Sequence, residues 1–225
     1  MRMRLKKHLE ERIAECNDIL LAREGDGFFK LSEDERKRYQ LNLTDVFGND
    51  NKVCLEIGCG KGAWAIQSAT ENTDVNYVAL EKLSNVIVVA CEQASKLALN
   101  NLRFLNVRAE NLDSFLPPHS VDVIALNFSC PFPKKTYANR RLTSKYFLEL
   151  YKRLMKPSGI VMQKTDDKDF FEWSIESYKE HGYEVYDVCY DLPANAEGNV
   201  ITEYEAKFRA LGKPIYSLKA KIKEG

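Results

Sequence analysis

The residues best placed to do chemistry lie in Leu55-Glu56-Ile57-Gly58-Cys59-Gly60-Lys61-Gly62-Ala63. Glycine tolerates a positive φ and lets a ligand approach the backbone closely. The spacing Gly58-x-Gly60-x-x-Ala63 satisfies the glycine fingerprint of dinucleotide-binding folds in its G/A form. It also fits a tight strand-to-helix turn that binds nothing. A second acid, Glu81, ends the apolar run Val78-Ala79-Leu80.

The two carboxylates narrow the choice of ligand. A dinucleotide would bring its pyrophosphate to the start of the helix after the glycines. Glu56, just before those glycines, better suits a cation. S-adenosylmethionine carries a sulfonium and an α-amino group and has no phosphate. Glu81 can accept hydrogen bonds from both ribose hydroxyls, each worth ~1.5–3 kcal/mol when charge-assisted. An acid there serves NAD equally well, so Glu81 supports a nucleoside without choosing one. Glu56, the extra Gly62 and the lack of a separate substrate domain favour methyl transfer over an NAD-linked oxidoreductase.

A second cluster is Asn127-Phe128-Ser129-Cys130-Pro131-Phe132-Pro133-Lys134-Lys135. Two prolines with fixed φ make a stiff loop around Phe132. Lys134, Lys135, Arg140, Arg141 and Lys145 surround Tyr137, a composition suited to holding phosphates and stacking a base. A solvated basic loop explains the same residues.

The elements that must position these groups follow an alternating pattern. Apolar runs at 53–57, 76–80, 102–107, 121–127 and 160–164 read as strands, and 63–70, 85–99, 143–155 and 168–180 as helices. Thr143 is placed to cap its helix, and residues 156–159, Lys-Pro-Ser-Gly, to stop it. Runs at 183–191 and 214–220 read as an antiparallel closing pair. The fold class is therefore α/β, Rossmann-like, with a mostly parallel, doubly wound sheet and an antiparallel C-terminal pair. Such sheets bind ligands at the carboxyl ends of their strands. Residues 1–50 read as an N-terminal extension with a helix near 6–22, a Gly-Asp-Gly break, and Phe28, Phe29 and Leu31 to dock it on a core spanning 51–225.

The chain has 225 residues with a formal net charge of zero. Nucleic-acid binding then has to come from local basic patches, here residues 2–8 and 134–145. No apolar run approaches the ~18 residues of a membrane span. The basic start leads into Leu9-Glu10-Glu11-Arg12 and not an apolar leader core, so a cytoplasmic location is expected. Six cysteines form no C-x-x-C pair, which predicts reduced thiols and no metal site.

Taken in order, Leu-Glu-Ile-Gly-x-Gly-Lys-Gly, Asn-Phe-Ser-x-Pro-Phe-Pro-Lys-Lys with Arg-Arg-Leu-Thr, Lys-Thr-Asp, and Gly-Asn-x-Ile-Thr-Glu-Tyr-Glu-x-Lys-Phe resemble the bacterial tRNA (guanine-N7-)-methyltransferase family over nearly the whole chain. The resemblance implies a class I methyltransferase that uses S-adenosylmethionine to methylate N7 of a guanine in the tRNA variable loop, as a monomer or homodimer. It implies cofactor contacts at Glu56, Gly58, Gly60, Glu81, Arg108 and Cys130. It implies substrate contacts at Lys134, Asp166, Thr202, Glu203, Tyr204 and Glu205, and RNA contacts along Thr136, Tyr137, Arg140 and Arg141. The chain departs from the family at Cys130, where an Asp is usual and catalysis is expected. Phe132 replaces a Trp, Thr136-Tyr137 an Arg-His pair, and Arg108 an acid near the adenine. A catalytically weakened tRNA-binding relative is the reading those departures leave open. Asp166 has the position of a helix N-cap and Thr202-x-x-Glu205 the form of a capping box, structural roles that need no RNA.

Overall fold

The computed structural model describes residues 6–25 and 27–223. Most of the basic run at residues 2–8, and Asp26 of the Gly-Asp-Gly break, lie outside the described residues. The chain divides into two compact units, Met1–Pro117 and Pro118–Gly225.

The first unit holds α1 (Leu9–Ala14), β1 (Leu20–Arg23), a 3-10 turn at Phe28–Lys30, α2 (Glu33–Lys37), α3 (Leu43–Phe47), β2 (Lys52–Ile57), α4 (Ala63–Glu71), β3 (Val75–Leu80), α5 (Ser84–Ser95) and β4 (Leu102–Asn106). Its strands run β1-β4-β3-β2, every neighbouring pair parallel. Leu55, Val78, Ala79, Leu102, Phe104 and Leu105 are fully buried, as expected of a parallel sheet covered by helices.

The N-terminal segment differs from the expected helix over 6–22. The helix stops at Ala14, and Leu20–Arg23 pairs in parallel with β4. Leu20-Leu21-Ala22 has helical propensity, but an unpaired edge of β4 offers a ladder of hydrogen bonds and burial for Ile19 and Leu20. Tertiary pairing outweighs local preference. Arg12 forks onto both oxygens of Glu92 and ties α1 to α5. Phe28 docks as expected, buried and stacked on Phe115 at 5.2 Å. Phe29 stays exposed. α5 is shorter than the expected 85–99, ending at Ser95, and Ala98 takes a left-handed φ of 50°.

The second unit holds β5 (Val121–Asn127), a 3-10 stretch at Lys135–Arg140, α6 (Lys145–Leu154), β6 (Met155–Thr165), α7 (Lys168–Glu180), β7 (Tyr183–Cys189), α8 (Glu203–Ala210) and β8 (Tyr216–Ile222). Its strands run β5-β6-β8-β7; β5 and β6 are parallel, and β8 is antiparallel to both neighbours. The antiparallel closing pair is thus present. Residues 156–159 do not end a helix by a turn. β6 begins at Met155, and its register against β5 jumps from Val121↔Met155 to Val123↔Ile160, so the Lys-Pro-Ser-Gly segment bulges out of the ladder. Ser144, not Thr143, precedes α6. The Thr143 hydroxyl instead meets that of Ser174 at 2.8 Å in the core against α7.

Candidate active site

The first unit carries the glycine loop at the carboxyl end of β2. Gly58 and Gly60 have φ of 86° and 58°, and nothing lies within 4 Å of where their Cβ atoms would be. That open face is where a ligand can lie against bare backbone. Gly62 serves a different purpose. Its φ is 80°, and a Cβ there would sit 2.8 Å from the Cβ of Ala90, so the start of α4 is packed directly on α5. The backbone N–H groups of Gly58 and Cys59 donate to the Leu80 carbonyl at 2.8 and 2.9 Å, fixing the loop to the end of β3.

Glu56 is buried on β2, in register with Ala79. Glu81, just past β3, accepts the Leu83 N–H at 2.9 Å, and its own carbonyl accepts from Asn106 at 2.8 Å. Burial raises the Glu81 pKa above the usual carboxylate range, against hydrogen bonds from the backbone of Leu83 and Gly60. Cys59 is pushed far up by burial and then by the charges of Glu56 and Glu81. The two expected acids thus flank the glycine loop, Glu56 on β2 before it and Glu81 just past β3, whose Leu80 carbonyl holds the loop. This donor set fits a cationic nucleoside: a carboxylate at each strand end, an open glycine backbone between them.

Arg108, expected at the cofactor, follows β4 with its side chain exposed. Its backbone N–H donates to Glu24 at 2.7 Å, and its guanidinium lies 4.8 Å from the centre of the Phe29 ring. Glu24 also accepts from Asn111 at 2.9 Å, with its side chain only 7% exposed. The segment after β4 is thus held by an acid from the N-terminal residues, a partner the sequence did not single out.

The second unit carries the loop after β5. Phe128 and Phe132 take left-handed φ of 51° and 42°, a strained state for bulky residues that surrounding contacts must hold. Cys130 between them is exposed. Lys134, Thr136, Tyr137 and Arg140 are exposed, and Arg140 stacks on Tyr137 at 4.6 Å. Arg141 departs from the expected RNA contact. It is buried, donates to the carbonyls of Pro131 and Phe132, and lies 4.3 Å from the Trp173 ring centre. Its charge is spent on holding the strained loop, because five fixed donors suit a cluster of carbonyls.

The remaining expected substrate residues separate into exposed and buried groups. Asp166 is not an N-cap: Asp167 caps α7 by accepting the Phe170 N–H at 2.8 Å, and Asp166 pairs with Lys213 at 3.0 Å. Thr202 caps α8 by accepting the Glu205 N–H at 3.0 Å. The second half of the capping box is missing. Glu205 is fully buried and its carboxylate accepts from Lys164 at 2.8 Å, Asn199 at 3.0 Å and Arg209 at 2.7 and 2.9 Å. Burial alone raises the Glu205 pKa, but the hydrogen bonds from Lys164 and Asn199, the Lys164 charge and Arg209 outweigh it and hold the carboxyl below its ordinary value. With both oxygens engaged, Glu205 anchors α8 to β6 and to the segment before α8. Glu203 and Tyr204, the two residues just before Glu205, remain exposed.

Lys164 and Asn199 stand in the Lys-Thr-Asp and Gly-Asn blocks without an assigned role, and Arg209 was not singled out by sequence. Two signals bear on Lys164 and Arg209: a lysine shortly after the apolar run Ile160-Val161-Met162, and an i,i+4 Glu205/Arg209 pair. Among the described residues no group of three or more His, Cys, Asp or Glu side chains is placed to hold a metal, and no helix is long and apolar enough to cross a membrane.

Residues 50–218 match the family model described as "Putative methyltransferase". The tRNA (guanine-N(7)-)-methyltransferase of Bacillus subtilis (strain 168) is 39% identical over 217 residues, covering 96% of both chains. That of Lachnoclostridium phytofermentans is 41% identical over 178 residues, 78% of this chain and 83% of the relative. Among solved structures, the 16S rRNA methyltransferase KamB superposes with a TM-score of 0.62 at 19% identity over 86% of this chain and 95% of that one. A SAM-dependent methyltransferase from Aquifex aeolicus gives 0.55 at 17% identity over 97% of this chain and 100% of that one. These likenesses show the methyltransferase fold. With a glycine loop between two acids and relatives well above 30% identity that cover 78–96% of it, this chain belongs to the bacterial tRNA (guanine-N(7)-)-methyltransferase family.

Proposed function

We propose that this protein transfers the methyl group of S-adenosylmethionine to N7 of a guanine in the variable loop of tRNA, acting in the cytoplasm as a monomer or homodimer. The observation that carries the reading is the open backbone of Gly58 and Gly60 at the carboxyl end of β2, with Glu56 on β2 before it and Glu81 just past the end of β3 to which the loop is bonded. The names of the relatives supply the tRNA guanine. Hydride transfer with NAD is disfavoured, since a pyrophosphate would have to lie beside the buried Glu56.

When bound, the cofactor supplies an electrophilic methyl group on a sulfonium. Glu56 and Glu81 hold its cationic and ribose portions. Guanine N7 carries an available lone pair, so no residue has to remove a proton before attack. The work left to the protein is orientation, which contributes ~7–11 kcal/mol to a barrier when well executed. Tyr204, Glu203 and Asp166 lie on exposed or partly exposed positions suited to holding the base. Lys134, Thr136, Tyr137 and Arg140 supply phosphate and stacking contacts along the RNA.

The test is incubation with labelled S-adenosylmethionine and unmodified tRNA, followed by mapping of the labelled nucleotide. Label at guanine N7 in the variable loop is the expected outcome. Label on another base, or binding of tRNA without transfer, overturns the reading.

A further inference from the structure

Lys164 sits at the end of β6 and holds two separate pieces of the second unit. Its backbone carbonyl accepts the N–H of Phe128 at 2.8 Å, fixing the first residue beyond β5, the one with φ of 51°. Its ammonium donates to the buried carboxylate of Glu205 at 2.8 Å, to Asn199 Oδ1 at 2.9 Å and to the Val200 carbonyl at 2.9 Å. Those last three lie on α8 and on the segment leading into it. Three donated bonds satisfy every proton an ammonium has.

The two pieces meet in aromatic contacts. The Phe128 ring lies 6.2 Å from Tyr204 and 6.4 Å from Phe208, and Tyr204 lies 5.5 Å from Phe208. Phe208 is half-buried with the Lys213 ammonium over its ring, 4.6 Å from its centre, whereas Tyr204 is 58% exposed. An exposed ring backed by two others is a stacking surface for a purine, held in place from behind. Interior salt bridges contribute little net stability compared with apolar packing, and their best-attested benefit is fixing one arrangement.

We propose that Lys164 is a positioning residue for methyl transfer: it locks the Phe128 strand end to α8, so that Tyr204 presents a fixed platform to the target guanine. The inference rests on the methyl-transfer reading above. Displacing a platform by about 1 Å can cost on the order of 100-fold in rate. Lys164 itself need touch neither base nor cofactor.

The test uses the full chain with Lys164→Met and Glu205→Gln combined, so that the buried acid is not left ionised without its lysine while an amide oxygen still accepts from Arg209. The expected result is a kcat for guanine methylation lowered roughly 10- to 100-fold, with S-adenosylmethionine affinity by calorimetry within about twofold of wild type. In a Tyr204→Ala background the same pair of changes is expected to add little, because coupled residues are non-additive. Wild-type kcat in the folded double variant, or full additivity with Tyr204→Ala, overturns the proposal. Should that variant not fold, Lys164→Gln gives the same readout, and an unchanged kcat there overturns it as well. If the wild-type protein methylates no tRNA guanine, the functional reading fails; if it does and the variants match it, only the role of Lys164 fails.

Discussion

Arg141 donates through its guanidinium to the carbonyl oxygen of Phe132 at 3.1 Å, and so holds a residue whose φ of 42° no bulky side chain favours. A second bond to Pro131 at 2.8 Å and the Trp173 face complete its surroundings. Its neighbour Arg140 is exposed and stacks only on Tyr137 among the described rings. Two adjacent arginines therefore do different work. Arg140→Ala is expected to reduce the log–log salt slope of tRNA binding by roughly 0.7–0.9, the value of one lost phosphate contact. Arg141→Ala is expected to leave that slope unchanged and to destabilise the fold by about 2–4 kcal/mol through lost bonds and ring contact. Titrations at several salt concentrations, beside thermal unfolding, separate the two; a flattened slope in Arg141→Ala contradicts the assignment.

Glu81→Ala is expected to weaken S-adenosylmethionine binding by about 1.5–3 kcal/mol for each ribose bond lost, with tRNA affinity nearly unaffected. The pH dependence has a defined sign. Burial raises the Glu81 pKa in the folded protein. The ionised form needed for the ribose is therefore lost as pH falls through that raised value, sooner than for an ordinary carboxylate. In the unliganded protein the sign reverses. The folded state binds this proton more tightly than the unfolded chain, so this group favours folding as pH falls through the same window. Calorimetry across mildly acidic pH checks both limbs, and wild-type cofactor affinity in Glu81→Ala removes the ribose assignment.

Glu24 links the N-terminal residues to the segment after β4 by accepting from Arg108 and Asn111. Replacing it with Ala leaves the Arg108 N–H without that acceptor. The expected loss is about 1.5–3 kcal/mol of stability per charge-assisted bond. Hydrogen exchange is expected to rise at residues 107–112 in the variant. Unchanged protection there means that the segment is held by other contacts.

How far the sequence carries depends on what each feature is made of. Glu56, Gly58, Gly60, Gly62 and Glu81 are legible because glycine spacing and apolar runs encode strand ends directly, and the loop stands where those runs place it. β1 is not, because Leu20-Leu21-Ala22 becomes a strand only through the free edge of β4, which no local pattern records. Arg140 and Arg141 look alike in one dimension and differ only in burial. Glu205 reads as half of a capping box, yet its partner Lys164 lies 41 residues away on another strand. Contacts of that separation are set by topology and are invisible to a motif of four residues.

Cys130 stands where the family resemblance implies an acid, and it is the sharpest test of whether orientation alone suffices. The thiol is exposed in a loop whose backbone is held by Arg141 and by the Phe128–Lys164 bond, so its replacement leaves the scaffold intact. Guanine N7 needs no deprotonation, and a general base at this position therefore has no proton to take before attack. Loss of a working acid–base group costs ~10²–10⁴ in rate. Cys130→Ser is instead expected to stay within about tenfold of wild type, with a superimposable pH–rate profile, since a tenfold change corresponds to only ~1.4 kcal/mol. Single-turnover methylation of unmodified tRNA by both proteins across neutral pH decides the matter. A collapse with serine, joined to a wild-type rate that follows one ionisation absent from the variant, shows that the thiolate takes part. The orientation account then gives way to one in which sulfur does the work of the missing acid.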